Sequence, residues 1–284
     1  MNKTSIYALL IALLLPLSGY FIMKGLSERN LKPPRHYIYD SVQTAIVKGK
    51  HIIDTIWHCI PDFTLTNQLG KQVSWKDLEN KTDKDGKLIS EGKIVVADFF
   101  FTHCPTICPR LTKNMKRLQE TIKNNQRVGD RDPDFIQFLS FSVDPERDSV
   151  AALKKWADRF QVNPFNWWLL TGDKKTIYDL SFNDMKLGLV DGEGIDSNFL
   201  HTDYMVLIDR YRNIRGYYHG LDTTELAKLS EDIIFLTLEK DPKRKSFFEG
   251  KIEMIAIVFL ITLVLVGALL IIIRKKNPAA DEAK

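Results

Sequence analysis

The apolar positions of this chain fall into two end segments and a patterned middle. Two uncharged runs of twenty residues, Thr4–Met23 and Met254–Ile273, lie near the two ends. A helix that crosses a hydrocarbon core of ~30 Å needs about 20 such residues. Pro16, Ser18 and Gly19 within the first run are tolerated in membrane helices. A cleaved signal peptide would have a shorter apolar core and a small-x-small site after it. The run exceeds that length and Leu17-Ser18-Gly19 is a weak cleavage match, so an uncleaved anchor is the expectation. The second run has no polar face and is closed by Arg274, Lys275 and Lys276. The pattern therefore predicts transmembrane helices over 4–23 and 254–273, a linker over 24–58 and a charged tail over 274–284. Within the linker Pro33-Pro34 makes a stiff point, and Ser41 to Val47 reads as a short strand or a turn of helix.

From residue 59 to 248 the pattern alternates between strand and helix periods. Phe63 to Thr66 is a short strand that ends at Asn67-Gln68-Leu69-Gly70, a turn, and Val73 to Leu78 follows. Asp85-Gly86 marks a hairpin tip. Ile94 to Phe101 is a near-continuous apolar run, as expected of a strand buried on both faces. Leu111, Met115, Leu118 and Ile122 share one helical stripe. Phe135 to Val143 is a second buried strand, and a helix starting at Ser149 carries Val150, Leu153, Trp156 and Phe160. Trp167 to Leu170 is a strand and Lys174 to Phe182 a helix. Tyr204–Ile208 and Ile214–Tyr218 pair across a turn, and Thr223 to Leu238 is the last helix. This order predicts an α/β domain, a thioredoxin-like mixed sheet flanked by helices, with extra strands in front and a helical insertion in the middle.

Composition narrows the class. Among 284 residues, 40 Lys plus Arg against 36 Asp plus Glu give a net charge of +4, too mild for a nucleic-acid binder. Three cysteines exclude a disulfide-rich scaffold. Lys and Arg flank both apolar runs, and a plain count would put the middle segment in the cytoplasm. Long segments translocate largely regardless of charge, so the count does not decide orientation.

The candidate chemistry is concentrated in Thr102-His103-Cys104-Pro105-Thr106-Ile107-Cys108-Pro109, between the buried strand and the first helix. Open sheets bind ligands at the C-terminal ends of their strands. Pro109 suits a first helical turn, and two cysteines four apart at a helix start can face the same way. Unpaired N–H groups there favour the thiolate. Thioredoxin-type enzymes place two residues between their cysteines, whereas this chain places three. Soft thiolates suit Cu(I), and an imidazole would complete a trigonal site. Taken alone, a Cys-x-x-x-Cys pattern more often marks buried structural thiols; its place after a buried strand favours metal binding or redox chemistry. Of the six histidines, His201 is singled out, because it precedes the strand Tyr204–Ile208 and that loop would lie beside the first helix. A histidine before a strand is also a common surface or capping residue. His103, on a turn next to Cys104, ranks lower. Cys59, beside His58, has no matching ligand spacing and reads as a free or buried thiol. Asp144 has two readings, a turn residue or a group near the metal crevice, while Asp148 or Ser149 reads as a helix cap.

These stretches resemble the SCO/SenC family of copper-binding proteins that assist cytochrome oxidase assembly. The likeness is carried by Pro61-Asp62-Phe63, by Asp98 to Pro109, by Ser142 to Asp148, by Leu170-Thr171-Gly172 and by His201 ahead of Leu207-Ile208-Asp209. It implies a thioredoxin-like fold, copper as the cofactor, and Cys104, Cys108 and His201 as its ligands. It also implies that Cys104 and Cys108 can form a redox-active disulfide, and that the partner is the copper-site subunit of cytochrome c oxidase. The domain would face the periplasm of a bacterial inner membrane, with both termini cytoplasmic; no Arg- and Ser-rich transit peptide precedes the first run. A second span after the domain departs from the single anchor usual in the family.

The leading expectation is a membrane-tethered copper metallochaperone, which is not an enzyme in the strict sense. The alternative is a thiol–disulfide oxidoreductase that reduces the cysteine pair of the oxidase subunit. A membrane redox or copper sensor is a third reading, and a peroxidase the weakest.

Overall fold

Ile94–Phe100 is buried at every position, and so is Ile136–Ser142. Strands buried on both faces belong inside a sheet with helices on either side. In the computed structural model, residues 22, 33–47, 50–79, 81–82, 88–125, 133–190 and 202–239 are described. Strands β1 (Tyr39–Val47) and β2 (Lys50–Trp57) lead into β3 (Thr64–Asn67) and β4 (Gln72–Ser74). After a short 3₁₀ turn come β5 (Lys81–Thr82), β6 (Leu88–Ser90) and β7 (Ile94–Phe100). Helix α1 (Ile107–Asn125), β8 (Ile136–Ser142), α2 (Val150–Arg159) and β9 (Trp167–Thr171) follow. The chain continues through α3 (Lys174–Asp179), α4 (Leu187–Val190), β10 (Tyr204–Ile208), β11 (Ile214–His219) and α5 (Thr223–Leu238).

Seven strands form one mixed sheet in the order β11-β10-β7-β8-β9-β3-β4. β7, β8 and β9 run parallel, with Asp98 opposite Ser140 and Phe100 opposite Ser142. β10 is antiparallel to β7, and β3 to β9. Side chains alternate across a strand, so β7 feeds two cores. Ile94, Val96 and Phe100 pack with Leu111 and Met115 of α1, Trp156 of α2 and Ile233 of α5. Val95, Ala97 and Phe99 pack with Phe63, Phe141, Ile177 and Leu187. The aromatics Trp156, Phe160 and Trp167 are core residues, as their spacing suggests.

Three readings of the pattern change. Residues 39–57 fall in the expected linker; the strand alternative over Ser41 to Val47 holds as part of β1, which pairs with β2 in a hairpin, with a register shift between Tyr39 and Ser41 that interrupts the alternation. The helix expected over Lys174–Phe182 ends at Asp179 and passes into a π turn, in which the Met185 N–H donates to Leu180 O at 2.7 Å. Val73 to Leu78 divides between β4 and the 3₁₀ turn Trp75–Asp77.

Buried Arg215 ties the start of this domain to its far edge. It pairs with buried Asp209 at 3.0 Å and donates from Nε to Pro34 O at 2.9 Å. Pro33–Leu238 forms a unit of its own. Among the described residues no helix is long and apolar enough to cross a membrane; the runs 4–23 and 254–273, apart from Ile22, lie outside them.

Candidate metal centre

Helix α1 begins at Ile107, so Cys108 stands in its first turn and Cys104 in the loop that enters it. Both cysteines are 4% exposed, and neither is bridged. The loop is pinned at its start by the Cys104 N–H, which donates to Phe101 O at 3.3 Å. At its end the Cys108 N–H donates to Cys104 Sγ at 3.4 Å. One sulfur thus sits over the open N–H groups of a helix, where partial positive charge is concentrated.

That placement separates the two thiols. Burial pushes the Cys104 thiol up, but the N–H groups of Cys108, Thr106 and Ile107 and the Cys108 side chain outweigh it, and the net shift is downward. Cys108 lies deeper. Burial raises its thiol strongly; a backbone hydrogen bond at Phe101 opposes this, while the Cys104 side chain and the Asp98 charge add to it. The two thiols therefore differ, Cys104 being shifted toward thiolate and Cys108 away from it.

Two carboxyls are buried near the loop, and one of them braces it. Asp148 is 0% exposed. Its Oδ2 accepts from the Thr102 N–H at 3.0 Å and from Ser142 Oγ at 2.6 Å, and its Oδ1 accepts from Thr102 Oγ1. Asp148 thus braces the residue two before Cys104 against the end of β8. The cap of α2 is Ser149, whose Oγ accepts from the Ala152 N–H at 3.3 Å. Of the two expected cap candidates, Asp148 or Ser149, Ser149 holds; the cap reading of Asp148 is corrected, because its carboxylate points into the loop. Asp144 does form the turn. Its carbonyl accepts from the N–H groups of Arg147 and Asp148, and its carboxylate lies 3.7 Å from Arg147. The second carboxyl, Asp98, is 1% exposed in the middle of β7, on the face that packs against α1. Burial raises it to about 7 against the Ser140 hydrogen bond that lowers it, and its Oδ1 has no hydrogen-bond partner.

His103 is largely exposed, with Nδ1 3.1 Å from Thr102 Oγ1 and 3.8 Å from Asp148. His201 lies outside the described residues, as does the loop 191–200. Its neighbours Thr202 and Asp203 are described. Asp203 O accepts from the Gly220 N–H at 2.8 Å, and Gly220 O accepts from Asn114 Nδ2 of α1 at 2.8 Å. A Cβ at Gly220 would stand 2.3 Å from Leu111 Cδ1 and 2.9 Å from the backbone oxygen of Asp203, so any larger residue there would force the packing to shift. The strand that follows residue 201 is thereby held against the first turns of α1. Elsewhere, His58 is engaged by Asp40 at 2.7 Å and by Asp184 O at 2.9 Å, and Cys59 is an exposed thiol. Among the described residues no three His, Cys, Asp or Glu side chains form a metal-holding group.

A parallel-centred sheet that places an unequal dithiol at a helix N-terminus defines a thioredoxin-like protein. Residues 57–234 match the SCO1/SenC family, and the chain belongs to it. The SCO1 protein homolog of Bacillus subtilis is 30% identical over 186 residues, which is 65% of this chain and 86% of that protein. The solved structure of BsSco, described as a member of the Sco family of cytochrome c oxidase assembly proteins with a disulfide switch, is 28% identical. That likeness covers 65% of this chain and 96% of BsSco at a TM-score of 0.50. A structure of Arabidopsis thaliana ScoI with copper bound is 24% identical, covering 63% of this chain and 98% of ScoI at a TM-score of 0.45.

Proposed function

We propose that this protein is a membrane-tethered copper metallochaperone that carries its cargo on Cys104, Cys108 and His201 and helps metallate the copper site of a cytochrome c oxidase subunit. The observation that carries this reading is the dithiol itself: two buried, unbridged sulfurs joined across one helix start, one already biased toward thiolate. Such soft donors select Cu(I) over harder ions. Family membership supports the assignment, and the chain's course from Thr202 to Gly220 and α1 is consistent with His201 as the third donor. Copper is cargo here. Thiolates of the acceptor would replace the three ligands one at a time. The domain is assigned to the periplasmic side of a bacterial inner membrane, with the runs 4–23 and 254–273 as spans and both termini cytoplasmic.

The inequality of the thiols favours a second reading, a dithiol reductant of the oxidase subunit. Cys104 would attack the partner's disulfide, and Cys108 would then resolve the mixed disulfide. Cu(I) titration of the reduced full-length protein in detergent, against a competing chelator, separates the two. For the chaperone we expect one tightly held Cu(I), with affinity falling at least about tenfold, or ~1.4 kcal/mol, in His201→Ala and lost in the Cys104→Ser/Cys108→Ser double variant. Weak binding indifferent to His201, together with rapid reduction of a disulfide-bonded peptide, would leave the reductant in its place.

A further inference from the structure

The β1–β2 hairpin is not used by the dithiol site and belongs to a two-stranded sheet of its own. Its attachments lie at its base. The Tyr37 N–H donates to Ile214 O and the Ile60 N–H to Arg212 O, each at 3.0 Å, and His58 Nε2 lies 2.9 Å from Asp184 O. A lone two-stranded ladder is at best marginally stable in water, so an exposed one calls for a covering surface.

The register shows which of the exposed aromatic and apolar side chains share a face; Ile56, 42% exposed, points the other way. Tyr39 stands opposite Trp57, and Val42 opposite Thr55. Directly paired residues share a face, as do residues two apart along a strand. Tyr39, Val42 and Trp57 therefore point the same way, although Tyr39 and Val42 are three apart in sequence. The register shift between Tyr39 and Ser41 makes this possible by re-aiming one strand. The result is an apolar and aromatic face: Tyr39 is 61%, Val42 53% and Trp57 36% exposed. The His36 ring stacks on Trp57 at 4.6 Å, and exposed Tyr37 lies beside them in sequence.

We infer that this face docks on the headgroup region of a phospholipid bilayer with anionic lipid. Tyr and Trp are the side chains that settle at a membrane–water interface, with an apolar ring and a polar edge. Between residues 24 and 35 the sequence has four basic residues, Lys24, Arg29, Lys32 and Arg35, against one acid, Glu28. Basic residues beside an interfacial anchor are attracted to anionic lipid. Tether length agrees. Nine residues separate Met23 from Pro33, and even fully extended they reach roughly 30 Å. The inference rests on the reading of 4–23 as a membrane span. The hairpin would then be an interfacial foot, absorbing surface that water would otherwise destabilise.

The tryptophans make the test selective. All five lie between residues 57 and 168. Trp75, Trp156 and Trp167 are at most 4% exposed, and Trp168 is half-buried, so Trp57 is the one that can meet lipid. The full chain is reconstituted in vesicles of phosphatidylcholine and phosphatidylglycerol, with and without acyl-brominated phosphatidylcholine, and its fluorescence is recorded. The expected result is quenching of one part of the emission, lost in Trp57→Phe and weakened in Tyr39→Glu, which retains all five tryptophans. A chain that floats with the vesicles but is unquenched, or is quenched equally in Trp57→Phe, overturns the docking face and leaves the span intact. Unquenched emission with concentration-dependent self-association would assign the face to a second copy instead. A chain that fails to float removes the span and, with it, the foot.

Discussion

Asp98 is the residue at which this sequence departs furthest from simple burial. It interrupts a run of apolar side chains on β7, and its carboxyl is raised to about 7 because burial disfavours the charged form. In the unfolded chain an aspartate titrates near 3.9. The folded protein thus holds a proton that the unfolded chain has released between those two pH values. Stability from this group is complete below the unfolded value and is lost as pH rises through about 7. Asp98→Asn is expected to abolish that loss and to raise stability at pH 8 by a few kcal/mol, read as a change in the slope of urea midpoint against pH. An unchanged slope would mean the carboxyl is ionised throughout. The run Ile94–Phe101 was legible as a buried strand, and the acid inside it was the visible signal of an unusual group. What it faces depends on α1, which periodicity alone does not locate.

At the scale of elements, the loop between β7 and α1 was legible as a site because a buried strand, two cysteines and Pro109 occur in sequence order. Its support was not. Asp148 lies 46 residues after Thr102, and the turn-forming stretch Asp144–Asp148 masks its role. Removing the carboxylate in Asp148→Ala strands the Thr102 N–H and two hydroxyls without their acceptor, a loss of about 2–4 kcal/mol. Asp148→Asn, which retains one carbonyl oxygen, should lose less. Chemical denaturation measures both, and a value for Asp148→Ala within ~0.5 kcal/mol of the parent would show that the brace is dispensable. The hairpin β1–β2 was legible only as an undecided strand or turn of helix over Ser41 to Val47, for a different reason. Its bulge breaks the period-two alternation, and Ser41, Val42 and Gln43 are all exposed, so no half-buried stripe marks the strand. The π turn after α3 was likewise indistinguishable from helix, since its apolar spacing differs by one residue in one turn.

For the whole molecule, alternation of strand and helix was enough to give a mixed sheet with helices on both faces. The order β11-β10-β7-β8-β9-β3-β4 was not explicit, because pairing between strands more than 100 residues apart leaves no local trace. The architecture has a functional consequence. The cysteines come from one end of β7, while Thr202 and Asp203, next to His201, enter β10, the neighbour of β7 on the side opposite β8. A three-ligand site would therefore span two adjacent strands and form only in the folded domain, so copper should stabilise the fold as well as occupy it. X-ray absorption of the Cu(I)-loaded full chain tests this ligand set most directly. Two sulfur scatterers and one imidazole nitrogen are expected, with the nitrogen lost in His201→Ala. A shell of sulfur alone in the parent, or an imidazole that persists in His201→Ala, would contradict it.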